Sequence, residues 1–209
     1  SVINNSGEKC GLIGTVEYDT GDEIIQASLT TPDAVTIAQV QDKMVKAGTK
    51  YMAIEASSHA LFQRRLAGID FIAAAFTNLT GDHLDYHKTE EQYLNAKKIL
   101  FKNLSKNATA VLNKQSPHCD SIAVDTKAQI LTYAVDESAD IIARVESEDV
   151  NGSQFSIEYR EQKAKVTTTL MGRHNISNHL AAAGLCLAAG FDLQKIAEGL
   201  SRLQTIPGR

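Results

Sequence analysis

The apolar run 71–76, Phe-Ile-Ala-Ala-Ala-Phe, breaks off abruptly at Thr77-Asn78, and this feature most constrains what the chain can fold into. A short apolar run that ends so sharply predicts a buried strand. Asp82, His83, Asp85 and His87 follow within a few residues. Enzymes with open α/β sheets keep their chemistry outside the carboxyl ends of the strands, so a strand that empties into acids and imidazoles predicts a site there. The two histidines, four apart, equally fit the surface of a polar loop or short helix, because imidazole serves structural roles as readily as metal or acid–base ones.

The pattern recurs upstream. Residues 51–56 are a second apolar run, breaking into Glu55-Ala56-Ser57-Ser58-His59. Before it, residues 1–9 read as the tail of a helix capped at Ser6-Gly7, residues 11–16 as a short strand, and Thr20-Gly21-Asp22 as a hairpin leading to residues 24–29. Thr31 is a candidate helix cap, with Pro32 in the first turn of a helix that runs to Gly48. Further on, helices are expected over 60–67 and 90–104, strands over 69–76 and 108–113, and two short strands at 122–124 and 130–134. From Ile141 the period changes to two, with alternating strands over 141–150, 153–160 and 163–171. Asn151-Gly152 is a strong hairpin signal between the first two of these. Helices over 175–189 and 193–203, the second capped by Asp192, close the chain. Alternating strands and helices with an antiparallel meander appended predict an α/β domain.

Composition excludes several classes. The 209 residues carry a net charge of −4, which offers no general attraction to nucleic acid or to an anionic membrane. No apolar run approaches the length of a membrane span, and no basic-then-apolar leader pattern opens the chain. Cys10, Cys119 and Cys186 are odd in number and scattered, which argues against a disulfide framework or zinc site and suits a reducing cytoplasm.

Among residues that can carry chemistry, Glu55 and His83 follow the two apolar strands. One carboxylate and one imidazole with open positions suit a divalent cation that also touches phosphate oxygens. The alternative is a salt bridge or a capped strand end. Ser57, Ser58 and His59 look like parts of a nucleophilic site, but the flanking glycines of a nucleophile elbow are missing and no third member is evident. Lys97 lies on the helix after the His/Asp cluster and, by residue type alone, reads as a solvated lysine like Lys98. Asn175 and Asn178 sit at the start of an Ala-rich helix. Their amides can read a purine edge, and a helix N-terminus favours phosphate, while plain capping by Asn175 is the structural alternative. No Gly-x-x-x-x-Gly-Lys-Ser/Thr loop occurs in the 209 residues.

Taken together, these stretches resemble the central, ATP-binding domain of the Mur ligase family. The likeness is to the MurE type in particular, which adds the third stem-peptide amino acid to UDP-N-acetylmuramoyl-L-alanyl-D-glutamate in peptidoglycan synthesis. The resemblance runs in order through Gly11-Leu12-Ile13-Gly14-Thr15-Val16, Leu29-Thr30-Thr31-Pro32-Asp33-Ala34 and Glu55-Ala56-Ser57-Ser58-His59-Ala60-Leu61. It continues through the segment from Phe76 to His87, Tyr93-Leu94-Asn95-Ala96-Lys97, the segment from Gly172 to Asn178, and Pro207-Gly208-Arg209.

The resemblance implies a mostly parallel sheet flanked by helices, its first strand missing, with a three-stranded antiparallel meander. It implies that Thr30, Thr31 and Ser57, helped by Gln63 and Arg65, bind the UDP-linked dipeptide. Glu55 and His83 match magnesium positions, and Lys97 matches a carbamylated lysine that holds a second Mg²⁺, which displaces the solvated reading. Lys97 and His83 are therefore the expected catalytic pair. Asn78, Asn175, Asn178 and Arg209 match nucleotide-contacting positions, while Asp82, Asp85 and His87 shape their loop. ATP is the implied co-substrate, and L-lysine or meso-diaminopimelate the implied amino acid, in a cytoplasmic carbon–nitrogen ligase.

The family's phosphate loop would precede residue 11 by one helix, and residues 205–209 would begin a linker to a further domain. Residues 1–209 are accordingly expected to be a shortened central domain, inactive alone and prone to self-association through unpaired sheet edges. Two other readings compete with the ligase: a muramyl-peptide-binding module without catalysis, and a metal-dependent hydrolase built on the Asp82–His87 cluster.

Overall fold

The computed structural model describes residues 2–79 and 84–203, and of residues 84 and 85 the backbone alone. The elements in chain order are α1 (Val2–Asn5), β1 (Cys10–Ile13), β2 (Glu17–Asp19), β3 (Ile24–Gln26), α2 (Ala34–Lys46), β4 (Tyr51–Ile54), α3 (Ser58–Phe62) and β5 (Ala73–Phe76). Then follow α4 (Leu84–His87), α5 (Glu90–Lys102), β6 (Thr109–Asn113), α6 (Cys119–Ala123), β7 (Gln129–Val135), β8 (Ile141–Asp149), β9 (Gly152–Tyr159), β10 (Gln162–Thr168), α7 (Arg173–Ala188) and α8 (Leu193–Ser201). The chain divides into two compact units, each with its own sheet. Among the described residues, one comprises 3–69 and 84–99, and the other comprises 2, 70–79 and 100–203.

In the first unit the strand order is β3-β2-β1-β4. β1 and β4 run parallel, Ile13 opposite Ile54, while the β2–β3 hairpin adds antiparallel strands to the other side of β1. The hairpin turn needs Gly21, whose φ is 96°. On α2, Ile37, Val40 and Met44 recur at helical spacing and are the buried residues. Met44 lies so close to Gly11 of β1 that a Cβ there would come within 2.5 Å of its terminal methyl.

The second unit holds the larger sheet, ordered β10-β9-β8-β7-β6-β5. β5 to β8 are mutually parallel, and β8, β9 and β10 form the antiparallel meander, so β8 belongs to both parts. β6 is buried on both faces: Ala110, Val111 and Leu112 are all fully inaccessible, which is how a central parallel strand reads. Helix α7 packs on β5 to β8 through Ile176, Leu180 and Ala183. Gly184 lets it approach, since a Cβ there would meet Val111 at 2.5 Å and Ile141 at 3.2 Å. Helix α8, capped by Asp192 as expected, covers β10 with Leu193, Ile196, Ala197 and Leu200. At the Asn151-Gly152 hairpin, Gly152 has φ 134° and a Cβ would run into the Thr168 carbonyl.

Several expected elements differ. The segment 122–124 is the end of helix α6, not a strand. Cys119 and Ile122, three apart, are buried while Val124 is 85% exposed, a helical pattern that so short a run conceals. The helix expected over 60–67 stops at Phe62, and Arg64 turns the chain with a φ of 56°. The strands β1 and β5 are shorter than expected. The cap of α2 is Asp33, whose carboxylate accepts from the Val35 and Thr36 N–H groups, so Thr31 is not the cap and Pro32 precedes the helix. Helix α7 starts at Arg173 after Gly172, so Asn175 does not cap it. Its amide instead donates back to the Met171 carbonyl at 2.7 Å.

Candidate functional site

The parallel pairing of β1 and β4 brings two polar strand ends side by side. The Glu55 N–H donates to the Ile13 carbonyl at 2.9 Å, extending the ladder by one rung. Beyond that rung the side chains meet. The Thr15 hydroxyl donates to Glu55 Oε2 at 2.8 Å and lies 3.1 Å from the Thr30 hydroxyl. Thr31 is 1% exposed, and its hydroxyl works in both directions. It donates to the Glu55 carbonyl and accepts the Ser57 N–H at 3.0 Å, tying the chain before α2 to the turn after β4. Ser57 caps α3, its hydroxyl accepting from the Ala60 N–H. The sequence Glu55-Ala56-Ser57 is therefore a turn held by one buried hydroxyl, with the Glu55 carboxylate exposed above it.

A second set of contacts continues from Thr31. Arg65 donates through Nη1 to the Thr31 carbonyl at 2.7 Å, and through Nε and Nη2 to Gln63 Oε1 at 2.9 and 2.6 Å. Gln63 in turn donates from Nε2 to the Tyr86 hydroxyl at 3.1 Å. The Tyr86 ring lies 4.0 Å from that of His59 and meets Phe62 edge-on. His87 is buried, with Nε2 2.8 Å from the Ser58 hydroxyl and its ring stacked on Tyr93.

Lys97 lies on α5 in the same unit, its ammonium 5.2 Å from the centre of the Tyr93 ring. Burial lowers its pKa, while the Glu55 carboxylate pulls the other way. Burial dominates, so this amine is more readily neutral than a solvated one. A neutral lysine amine is the form that adds carbon dioxide. One exposed carboxylate and a desolvated amine, in each other's field, fit the donor set expected for magnesium once the amine becomes a carbamate. His83 and Asp82 lie outside the described residues. Among the described residues, no three or more of His, Cys, Asp and Glu cluster as metal ligands by themselves.

In the second unit, β5 ends quite differently. The Phe76 carbonyl accepts from the Tyr133 hydroxyl at 3.3 Å, and the Thr77 carbonyl accepts from the Asn113 amide at 2.8 Å. Tyr133 also bonds the Ser177 side chain, and burial pushes its phenol far above the ordinary value. Through Tyr133, the first turns of α7 and the end of β5 are joined by a single side chain. Asn78 is exposed and accepts from the Leu79 N–H, while Asn175 and Asn178 are half-buried at the start of α7. Beside them, Arg173 pairs with Asp136 at 2.7 Å. Burial alone would raise the Asp136 carboxyl, but the Val145 N–H and Arg173 outweigh it and hold its pKa low.

A family model described as the Mur ligase middle domain matches residues 2–186. The chain belongs to that family. A 2,6-diaminopimelate ligase of UDP-N-acetylmuramoyl-L-alanyl-D-glutamate from Geobacillus kaustophilus is 41% identical over the whole chain, and one from Clostridium acetobutylicum is 36% identical. The chain spans 44% and 43% of these relatives. A solved structure of such a ligase superposes over the whole chain, and 43% of its own, with a TM-score of 0.86 at 31% identity. MurF from Acinetobacter baumannii, 18% identical with a TM-score of 0.78, shares the fold.

In this Mur ligase domain, one unit gathers Thr30, Thr31, Glu55, Ser57, Gln63, Arg65 and Lys97, and the other holds Asn78, Asn175 and Asn178. Arg209 lies outside the described residues. Sequence reasoning passed over Thr15 and Tyr86. Thr15 follows β1 as Glu55 follows β4, but their meeting depends on the pairing of those strands. Tyr86 sits within the His/Asp segment and was hidden by its more reactive neighbours. His87, a candidate ligand by type, is a buried strut between Ser58 and Tyr93.

Proposed function

We propose that the chain is the central part of an ATP-dependent ligase that adds 2,6-diaminopimelate to UDP-N-acetylmuramoyl-L-alanyl-D-glutamate in peptidoglycan synthesis. The observation that carries this reading is the match along the entire chain to ligases named for that reaction. In the proposed reaction the γ-phosphoryl group of ATP passes to the D-glutamate side-chain carboxylate, giving an acyl phosphate and ADP. The amine of diaminopimelate then attacks the acyl carbon, a tetrahedral intermediate forms, and phosphate leaves as the amide is made, with one proton lost from the amine. Such phosphoryl transfer asks mainly for positioning and for electrostatic stabilisation.

The residues divide that work. Arg65 presents a guanidinium fork, suited to the carboxylates of the dipeptide, beside Gln63, Ser57 and Thr30. Thr31 is buried, with its hydroxyl and carbonyl already committed, and would hold that surface in place from within. Glu55, carbamylated Lys97 and His83 would hold magnesium, which when bound neutralises the charge of the phosphate oxygens. Asn78, Asn175, Asn178 and Arg209 would contact the nucleotide. The enzyme would work in the cytoplasm, where ATP is supplied; no helix among the described residues is long and apolar enough to cross a membrane. Strands β4 and β5 each end a sheet among the described residues, and open edges of this kind favour self-association, which sedimentation would detect.

Calorimetric titration of the chain with the UDP-linked dipeptide and with Mg·ATP tests the reading. Saturable binding of the dipeptide, lost in Arg65→Ala, is expected. Dipeptide binding without nucleotide binding would mark a non-catalytic module instead, and no binding of either would contradict the proposal.

A further inference from the structure

Arg65 is held in an unusual way for a half-buried cation. Every hydrogen bond it makes among the described residues ends on a neutral oxygen, the Thr31 carbonyl or Gln63 Oε1. A guanidinium has five N–H donors and no acceptor, so it can be met only by oxygen. The Gln63 amide must therefore turn its carbonyl to Arg65 and its NH₂ away. Left to itself, an exposed amide rotates and offers either end. Here the NH₂ is fixed by the Tyr86 hydroxyl, which receives it at 3.1 Å. The Tyr86 ring is in turn wedged between His59, at 4.0 Å, and Phe62, at 6.1 Å between ring centres.

We infer that Tyr86 is a positioning residue for the dipeptide site: its hydroxyl sets the orientation of Gln63, and through Gln63 the direction of the Arg65 fork. This rests on the assignment of Gln63 and Arg65 to the dipeptide proposed above. The charge of Arg65 is left unspent on any carboxylate among the described residues, and its geometry is fixed before a ligand arrives. A preorganised cation of this kind suits an anionic ligand, because the ligand need not order the side chain as it binds. Tyr86 also ties this surface to the short helix α4, which begins one residue after His83, so the dipeptide residues and the segment that carries the expected magnesium ligand share one hydrogen-bonded chain.

Tyr86→Phe removes only the hydroxyl and keeps the ring contacts with His59 and Phe62. Calorimetry with the UDP-linked dipeptide is expected to show Kd raised about three- to tenfold, the worth of one neutral hydrogen bond. Binding of Mg·ATP and the thermal midpoint should stay unchanged, whereas a merely structural role would move the midpoint and leave Kd alone. In a Gln63→Ala background, Tyr86→Phe should add nothing further. The Arg65 Nε–H, which bonds Gln63 Oε1, should exchange faster with solvent in ligand-free Tyr86→Phe than in the ligand-free wild type, as NMR would read. Unchanged dipeptide affinity in Tyr86→Phe, or the same loss with and without Gln63, overturns the role of Tyr86. Failure of the wild-type chain to bind the dipeptide would instead overturn the assignment on which it rests, and the inference with it.

Discussion

The ends of β4 and β5 start from the same kind of sequence and finish in opposite ways. Both strands are short apolar runs that break into polar residues. At the end of β4 the side chains face one another: Thr15, Thr30 and Glu55 in one cluster, Thr31, Gln63, Arg65 and Tyr86 in the next. At the end of β5 it is the backbone that is held, by Tyr133 and Asn113, and the Asn78 amide is left exposed. The first is a set of charged and hydroxyl groups oriented by one another. The second is a rigid strand end that presents one amide from a dry core. The difference matches the partners proposed for them: an anionic dipeptide and magnesium need charge and directed donors, while a nucleotide base needs a fixed hydrogen-bonding edge.

The contrast can be broken most severely through the core behind β5. Leu112 is wholly buried in β6, and Leu112→Ala should cost about 2–5 kcal/mol, the range for a large-to-small change in a close-packed core. Urea denaturation would measure it. A smaller loss, about 1–3 kcal/mol, is expected for Thr31→Val, which leaves the Ser57 N–H and the Glu55 carbonyl without their shared partner in a buried position. If the end of β4 were only loosely organised, that substitution would be almost silent in the same experiment.

The smallest expected effect is a pH dependence on the β5 side. His179, on the buried face of α7, has its pKa lowered by burial, with the Asn175 carbonyl partly opposing. Its Nε2 is buried with no partner among the described residues, as suits a neutral ring that donates through Nδ1 to Asn175. The unfolded chain takes up a proton near the ordinary imidazole value of 6.5 and the folded chain does not. Stability is therefore full above that pH, falls as pH drops through it, and levels off below the depressed folded value. Urea midpoints compared at about pH 8 and about pH 5.5 should separate wild type from His179→Gln, the wild type losing more on acidification.

Much of this arrangement was legible before the structure. The strands β4, β6 and β8 to β10, the Asn151-Gly152 turn and the Asp192 cap follow from local patterns, because apolar runs, period-two alternation and capping chemistry act over a few residues. The separation into two sheets was not, since it depends on which strand pairs with which. The helix α6 was misread because Ile122 and its neighbours are too few to reveal a period. The role of Thr31 is likewise invisible locally: its hydroxyl is spent on residues 24 and 26 positions away. Lys97 shows the limit most clearly. As a lysine on an amphipathic helix it reads locally as solvated; the resemblance alone singles it out in the sequence, and the burial of its amine and the pull of Glu55 come from the fold.

That pair also offers the most direct test of whether the end of β4 is a working site or a structural cap. The chain, supplied with ¹³C-labelled bicarbonate and magnesium, should show a carbamate carbonyl signal in ¹³C NMR that disappears in Lys97→Met. It should also weaken in Glu55→Gln, which removes the carboxylate expected to share the metal. An unmodified Lys97 under these conditions, with no carbamate signal in the wild type, would contradict the account.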